Sequence, residues 1–442
     1  MPFSLRICYT GGKTSKIERI RAMRRLLPLF LALLLCGCAA DDSAPLTPPA
    51  PPPEEAQQEP SASPEEAEPA PQAVYEILDP TLAPEGGERE GVPYVPYEGT
   101  VEHLFFHPLV AYPEQAFDGD AQSDGIDDYM VTVDEYKAIL ESLYARDFIL
   151  VDIGDVWSES TNETGEPRMV KNTLYLPEGK KPLIISFDDV CYYPYMQGNG
   201  FPYKLILDEE GHICSWGLDP TGEEVVSHDL DAIPILDRFV EEHPDFSPFG
   251  AKAALGLTGY AGILGYRTGT DTKSWTPEQE AHRQKEREAV KPIIKELKRT
   301  GWTFASHSWG HIRLGGSRSL ESIQRDTERW LHEVGSLVGP TKIFIYPHGE
   351  RPDGDDWHKT GPIFRYLQSQ GFRVFASVGI NSFSHIKNDI SAVICDRLHP
   401  DGTTLRGSKK VVEWYRPFYD TEEIIDLEHR PQRYVRWMES DS

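Results

Sequence analysis

Beyond residue 100 the chain alternates two kinds of apolar pattern. Short unbroken runs, among them Leu104-Phe105-Phe106, Phe148-Ile149-Leu150-Val151 and Leu183-Ile184-Ile185, have the length and content of buried strands. The longer stretches between them repeat apolar residues at helical spacing, as Tyr136, Ile139, Leu140 and Leu143 do behind a Thr132 cap with Glu135 three residues on. Further strands are expected at 251–257, 302–305, 342–346, 373–377 and 391–396, and helices at 233–240, 320–336 and 357–370. Thr276-Pro277-Glu278-Gln279 opens another helix, expected to kink at Pro292 and stop at Gly301. Tyr203 to Ser215 reads as a hairpin turning at Glu209-Glu210-Gly211, and 158–180 as a polar excursion. Strands alternating with helices across residues 100–420 predict an α/β fold, a parallel sheet or barrel in one domain.

The N-terminal quarter has neither pattern. Arg24-Arg25 precedes an apolar core from Leu26 to Leu35, too short to span a bilayer and suited to a secretory signal. Leu35-Cys36-Gly37-Cys38 resembles the lipobox of bacterial lipoproteins, which makes Cys38 the expected lipidated residue, residues 1–38 the signal and Met23 a natural start; an ordinary cleaved signal is the alternative. Residues 39–99, rich in Pro, Glu, Ala and Ser, are expected to be a disordered tether. The formal charge of −27 and pI near 4.9 argue against nucleic acid as a partner. Cys191, Cys214 and Cys395, an odd and irregularly spaced set, suggest no disulfide framework. Residues 421–442 form a charged amphipathic extension without an assignable task.

Two strands end in metal-capable side chains. Ser186-Phe187-Asp188-Asp189 follows the run at Leu183, and His307-Ser308-Trp309-Gly310-His311 follows Trp302 to Ala305. In α/β folds the C-terminal ends of parallel strands open onto one face where active sites are built. Two histidines four apart, read as one side of a helical turn, reach one ion together. With one carboxylate they form a two-histidine, one-carboxylate set with open positions, and the second carboxylate is left to act as a base. The pattern suggests a metal-dependent hydrolase. Cys191 is read as a small packed residue or as a further ligand, and Trp309 as a core aromatic or a sugar subsite. Tyr192, Tyr193 and Tyr195 fit a plain loop or a sugar-stacking platform equally.

The Asp pair, the His-Ser-x-x-His motif and Tyr346-Pro347-His348-Gly349, in this order and each after a strand, resemble the polysaccharide deacetylases of the NodB-homology type (carbohydrate esterase family four) over residues 101–402. The resemblance implies a distorted (β/α) barrel in which Asp189, His307 and His311 hold a divalent metal, zinc being the expected ion. It makes Asp188 the general base and gives the backbone near His348 to the oxyanion. Three departures stand out. Ile345 replaces an arginine that pairs with the base, and Arg397 is the candidate substitute; Val190 replaces a glycine. The family's C-terminal Leu-x-His is not matched, because Arg397 lies two residues before His399. A permuted branch, including exopolysaccharide deacetylases of biofilm matrices, carries the acid on an N-terminal strand, which points to His107, with His399 as second candidate. The implied activity is removal of N-acetyl groups from an exopolysaccharide or peptidoglycan glycan, outside the cytoplasm, by an enzyme lipid-anchored to the membrane. An inactive tethered glycan-binding protein and an O-acetyl polysaccharide esterase are the alternative readings.

Overall fold

A computed structural model of the protein describes residues 75–269, 276–316, 318–352, 361–380 and 391–431, with the backbone alone of 384–387. Seven parallel strands form its centre: β1 (Glu102–Phe106), β2 (Lys181–Phe187), β3 (Ala254–Leu257), β4 (Thr303–Ser306), β5 (Ile343–Ile345), β6 (Val374–Val378) and β7 (Ala392–Arg397). They neighbour one another in chain order. The sheet then comes back on itself, because Phe105 N–H donates to the Leu398 carbonyl at 2.9 Å and Leu398 N–H to that of His103 at 3.0 Å. The result is a nearly closed barrel whose strand ends open on one face. Buried on both sides, the strands read as continuous apolar runs, as parallel strands do.

Alternation along each strand sorts its side chains into two layers. Leu183, Ile185 and Phe187 of β2 pack outward with Leu104, Phe106, Leu255, Leu257 and the helical residues Ile139, Leu140 and Leu143. Ile184 instead joins Ala254, Ala305, Ile345, Ala376 and Val393, one from each of β2 to β7, which residues pointing into the barrel can do. Three of these six are alanine, in keeping with a narrow interior. The outer helices include Val133–Ala145 and Pro277–Arg299, and both capping boxes expected at Thr132 and Thr276 are present. The second helix runs through Pro292, and Gly301 follows it at φ +92°.

Several expectations need correction. The tether was expected to reach Gly99, yet Tyr75 onward is folded: Leu78 N–H donates to the Phe249 carbonyl at 2.9 Å, and Val92–Tyr97 pairs antiparallel with Leu174–Pro177. The segment's average composition hid a short strand in the middle of a three-stranded sheet. Pro93 pairs with one neighbour strand and Pro96 with the other, so each proline is in register with a partner strand on one side only. The supposed polar excursion holds the hairpin Trp157–Thr161 with Pro167–Lys171, stabilised through Trp157 and Met169 while its other side chains are solvated. Among the described residues, Phe148–Leu150 pairs only with the start of β2 and stays outside the ring. The hairpin after the first motif gains a third strand, Glu224–Ser227. The helix expected over 320–336 is α-helical over Leu320–Trp330 and continues as a π-helix over Leu331–Gly335.

The C-terminal extension is fastened to the barrel as far as it is described. Arg430 is 3% exposed and donates to both Glu135 oxygens at 2.6 Å and to Asp127 Oδ1 at 2.8 Å. The signal, the lipobox with Cys38, the tether up to residue 74, Trp357 with the start of its expected helix, and residues 432–442 lie outside the described residues.

Candidate active site

The ends of β2 and β4 carry the two expected motifs to one place. Asp188 N–H donates to the Phe106 carbonyl of β1 at 2.8 Å, Asp189 then takes a left-handed turn at φ +59°, and both carboxylates come within 4.0 Å of His307 Nε2. Asp189 Oδ1 lies 3.9 Å from His307 Nε2, and Asp189 Oδ2 lies 3.7 Å from His311 Nε2. One donor atom from each of the three falls within 4.8 Å of the others. His307 Nδ1 is 3.0 Å from the Ile345 carbonyl, which only accepts, so Nδ1 carries the proton and Nε2 is the bare nitrogen. One carboxylate and two imidazoles so arranged fit a divalent ion with coordination positions to spare.

The histidines do not meet by helical geometry. Residues 307–311 form a loop in which Ser308 (φ +62°) and His311 (φ +49°) are left-handed. Asp326 holds it by accepting from the backbone N–H groups of Trp309 and Gly310, both at 2.8 Å. Sequence spacing alone suggested a turn of helix, whereas a carboxylate far along the chain shapes the loop. The histidine rings end 4.9 Å apart.

Asp188 stands outside the Asp189, His307 and His311 group. Arg397, fully buried at the end of β7, forks both its oxygens, at 2.7 Å to Oδ1 and 2.8 Å to Oδ2. The same guanidinium donates to Ser186 Oγ at 3.0 Å and lies over the Phe105 ring, 4.0 Å from its centroid. Burial by itself would raise the Asp188 pKa; the arginine overrides it and holds the carboxyl well below the usual carboxylate range. Barrel closure brings β7 beside β1, one strand from β2, and so the cation comes from position 397 with Ile345 left in the core. Gly256 also makes room: a Cβ there would meet Asp188 Oδ1 at 3.2 Å and Ile345 Cδ1 at 3.2 Å. Val190 does not have a left-handed backbone, so this loop does not need glycine at that position.

Both candidate acids are present, hydrogen-bonded to each other. His107 Nε2 faces Asp189 Oδ2 at 4.0 Å, and its Nδ1 lies 3.0 Å from His399 Nε2. His399 Nδ1 is 2.9 Å from Asp401 Oδ2, and its ring stacks on Phe105 at 4.2 Å. Since the carboxylate only accepts, His399 is protonated on Nδ1, and its Nε2 accepts from His107 Nδ1–H. Asp401 escaped the sequence reading; its one signal was its position two residues past His399. The His348 ring packs 4.3 Å from that of His311, on a left-handed residue at φ +57°. Cys191 hydrogen-bonds Thr258, and burial pushes its thiol up to about 12, which keeps it protonated and packed.

Burial, followed by the neighbouring His399, lowers His107 to about 4; burial, followed by His311, lowers His348 to about 3. The unfolded chain binds these protons near pH 6.5 and the native one does not, so native stability falls as pH drops below 6.5 and the loss levels off below the folded values. Urea titrations of metal-free protein at pH 7.5 and pH 4.5 are expected to show this loss, at most about 1.4 kcal/mol per pH unit for each such histidine. Substituting His107 with glutamine should reduce the slope.

No family model matches the chain, nor does any curated protein. Solved structures with a similar arrangement include a deacetylase of Streptococcus pyogenes in complex with acetate, 13% identical, covering 70% of this chain and 95% of that one at a TM-score of 0.35. A polysaccharide deacetylase from Bacillus cereus is 11% identical and covers 73% of this chain and 69% of that one, at a TM-score of 0.38.

Proposed function

We propose that the chain is a metal-dependent polysaccharide deacetylase of the NodB-homology type, in the permuted branch, which removes N-acetyl groups from an amino-sugar polymer. The observation that carries this reading is the pairing of the Asp189, His307 and His311 donors with a second buried acid, Asp188, forked by Arg397. In the same reading the enzyme works outside the cytoplasm, lipid-anchored through Cys38, on an exopolysaccharide or peptidoglycan glycan.

The bound divalent ion, zinc in this proposal, supplies Lewis acidity toward water and the acetyl carbonyl. Asp188 accepts the proton that leaves the attacking water. Arg397 keeps that carboxylate ionised and aimed, so the base does not collapse onto the ligand set. His107 Nε2, bare while Nδ1 donates to His399, first takes up a proton, in the net balance the one that Asp188 removed from water, and passes it to the departing amine as the carbon–nitrogen bond breaks. His399 and Asp401 orient the His107 ring through its Nδ1–H, and they offset the charge it carries when protonated. Acetate and a free amino sugar are the products, with the elements of water divided between them.

Protein stripped with a chelator is expected to release no acetate from N-acetylglucosamine oligomers, and to recover when zinc is restored. Release that chelation leaves untouched would refute metal dependence. Binding to the oligomers without release at any metal loading would favour the inactive binder, and preferential release from O-acetylated xylan would move the substrate to esters.

A further inference from the structure

Asp189 has a fourth neighbour that neither the motifs nor the proposed chemistry uses. Tyr193, four residues on and 4% exposed, places its hydroxyl 2.6 Å from Asp189 Oδ1. The same hydroxyl is 2.8 Å from Thr258 Oγ1, just past the end of β3, and Thr258 Oγ1 is 3.0 Å from Cys191 Sγ. An ionised carboxylate only accepts, so Tyr193 O–H donates to Asp189. Thr258 O–H is then the donor that serves the Tyr193 oxygen, and the Cys191 thiol donates to Thr258. The direction of every link is set by the first.

The surroundings leave the tyrosine little freedom. Its ring lies between those of Tyr195 and Tyr260, nearly parallel to both, with centroids 5.7 Å and 5.2 Å away. Arg267 pins the loop between Asp189 and Tyr193 by donating to the Tyr192 carbonyl at 2.6 Å. A rigid donor is therefore aimed at one oxygen of a ligand whose own backbone is left-handed.

Each Asp189 oxygen faces one ligand histidine, Oδ1 His307 and Oδ2 His311. We infer that Tyr193 is a positioning residue whose hydrogen bond engages Oδ1 and so favours Oδ2 as the oxygen that holds the ion. The carboxylate then binds through one oxygen, and the remaining positions stay open for water and substrate. Groups of this kind behind a ligand typically alter metal affinity by about 10- to 100-fold when removed. The inference rests on the proposed metal site, and its test separates the two.

The experiment measures zinc affinity by competition with a chromophoric chelator for the parent, Tyr193→Phe, Thr258→Val and Asp189→Ala proteins, with thermal unfolding of each metal-free form alongside. Tyr193→Phe keeps the ring stack and removes one hydroxyl. It is expected to bind zinc about 10- to 100-fold more weakly while unfolding near the parent temperature. Thr258→Val should weaken binding less, in the same direction, and it carries the test if the Tyr193 variant does not fold. Parent-like zinc affinity in a folded Tyr193→Phe protein, beside an Asp189→Ala protein that has lost zinc, overturns the role of Tyr193 and spares the site. Unchanged affinity in Asp189→Ala overturns the metal site itself, and this inference falls with it.

Discussion

An Asp189→Ala protein is expected to purify with background zinc and to release acetate at least about 1,000-fold more slowly than the parent. A factor of this size corresponds to the several kcal/mol of transition-state stabilisation that a bound ion contributes, at about 1.4 kcal/mol per decade. The two histidines left behind cannot compensate. Asp189 lies between them, 3.9 Å from one and 3.7 Å from the other, and its charge is the anionic part of the donor set. Asp188 is not expected to take over as a ligand, because its charge is already paired with Arg397. The substitution removes a group that burial penalises and that mainly His311 and then His307 hold below the usual carboxylate range. Its lowered pKa means that the ionised group contributes some stability at neutral pH, so the substitution has a folding cost. Circular dichroism checks that the metal-free variant is folded before its zinc and acetate are compared. Parent-like zinc content together with parent-like acetate release would leave the proposed function without its centre.

The second large effect is expected at Arg397. Arg397→Met leaves Asp188 as a buried carboxylate without its counter-ion, a change that typically costs about 3–5 kcal/mol. Its pH dependence distinguishes this from a simple packing defect. In the parent, Asp188 titrates below its unfolded value, so its stabilising contribution is complete above about pH 4 and is lost as pH falls through the lower folded value. In the variant, burial raises the same group above its unfolded value, so the penalty is greatest near neutrality and shrinks as acid protonates it. Urea titrations should show the gap between parent and variant narrowing from pH 7 to pH 4.5, and His103, which burial and then Arg397 hold below its usual range, adds to the narrowing. Arg397→Lys keeps the charge but not the fork and should fall between them. A gap independent of pH would mean that Arg397 acts through packing on Phe105 alone.

Much of the barrel was legible because burial on both faces forces parallel strands into unbroken apolar runs, which survive as local pattern. The helix starts were legible for a similar reason: a capping box is complete within four residues, and those at Thr132 and Thr276 formed as their sequences require. Elements stabilised by few apolar contacts left no such trace. Val92–Tyr97 was hidden by its prolines, and the hairpin at 157–171 by its solvated side chains.

By itself the sequence determined which residue types stand at the ends of which strands: the two aspartates after β2, the histidines after β4, and the Arg397 to His399 stretch closing β7. Strand identity and strand end are local properties, written in apolar runs and in the few residues after each. Only the tertiary structure decided how those ends combine. The return of β7 to β1 delivers Arg397 to Asp188 and joins His399 to His107, contacts separated by 209 and 292 residues. Asp326 bends the His307–His311 loop, and Tyr193 meets Asp189 with Thr258 behind it. Each of these depends on which strand lies beside which, and that is settled by ring closure and packing across the whole barrel, a global condition that no short window of sequence contains.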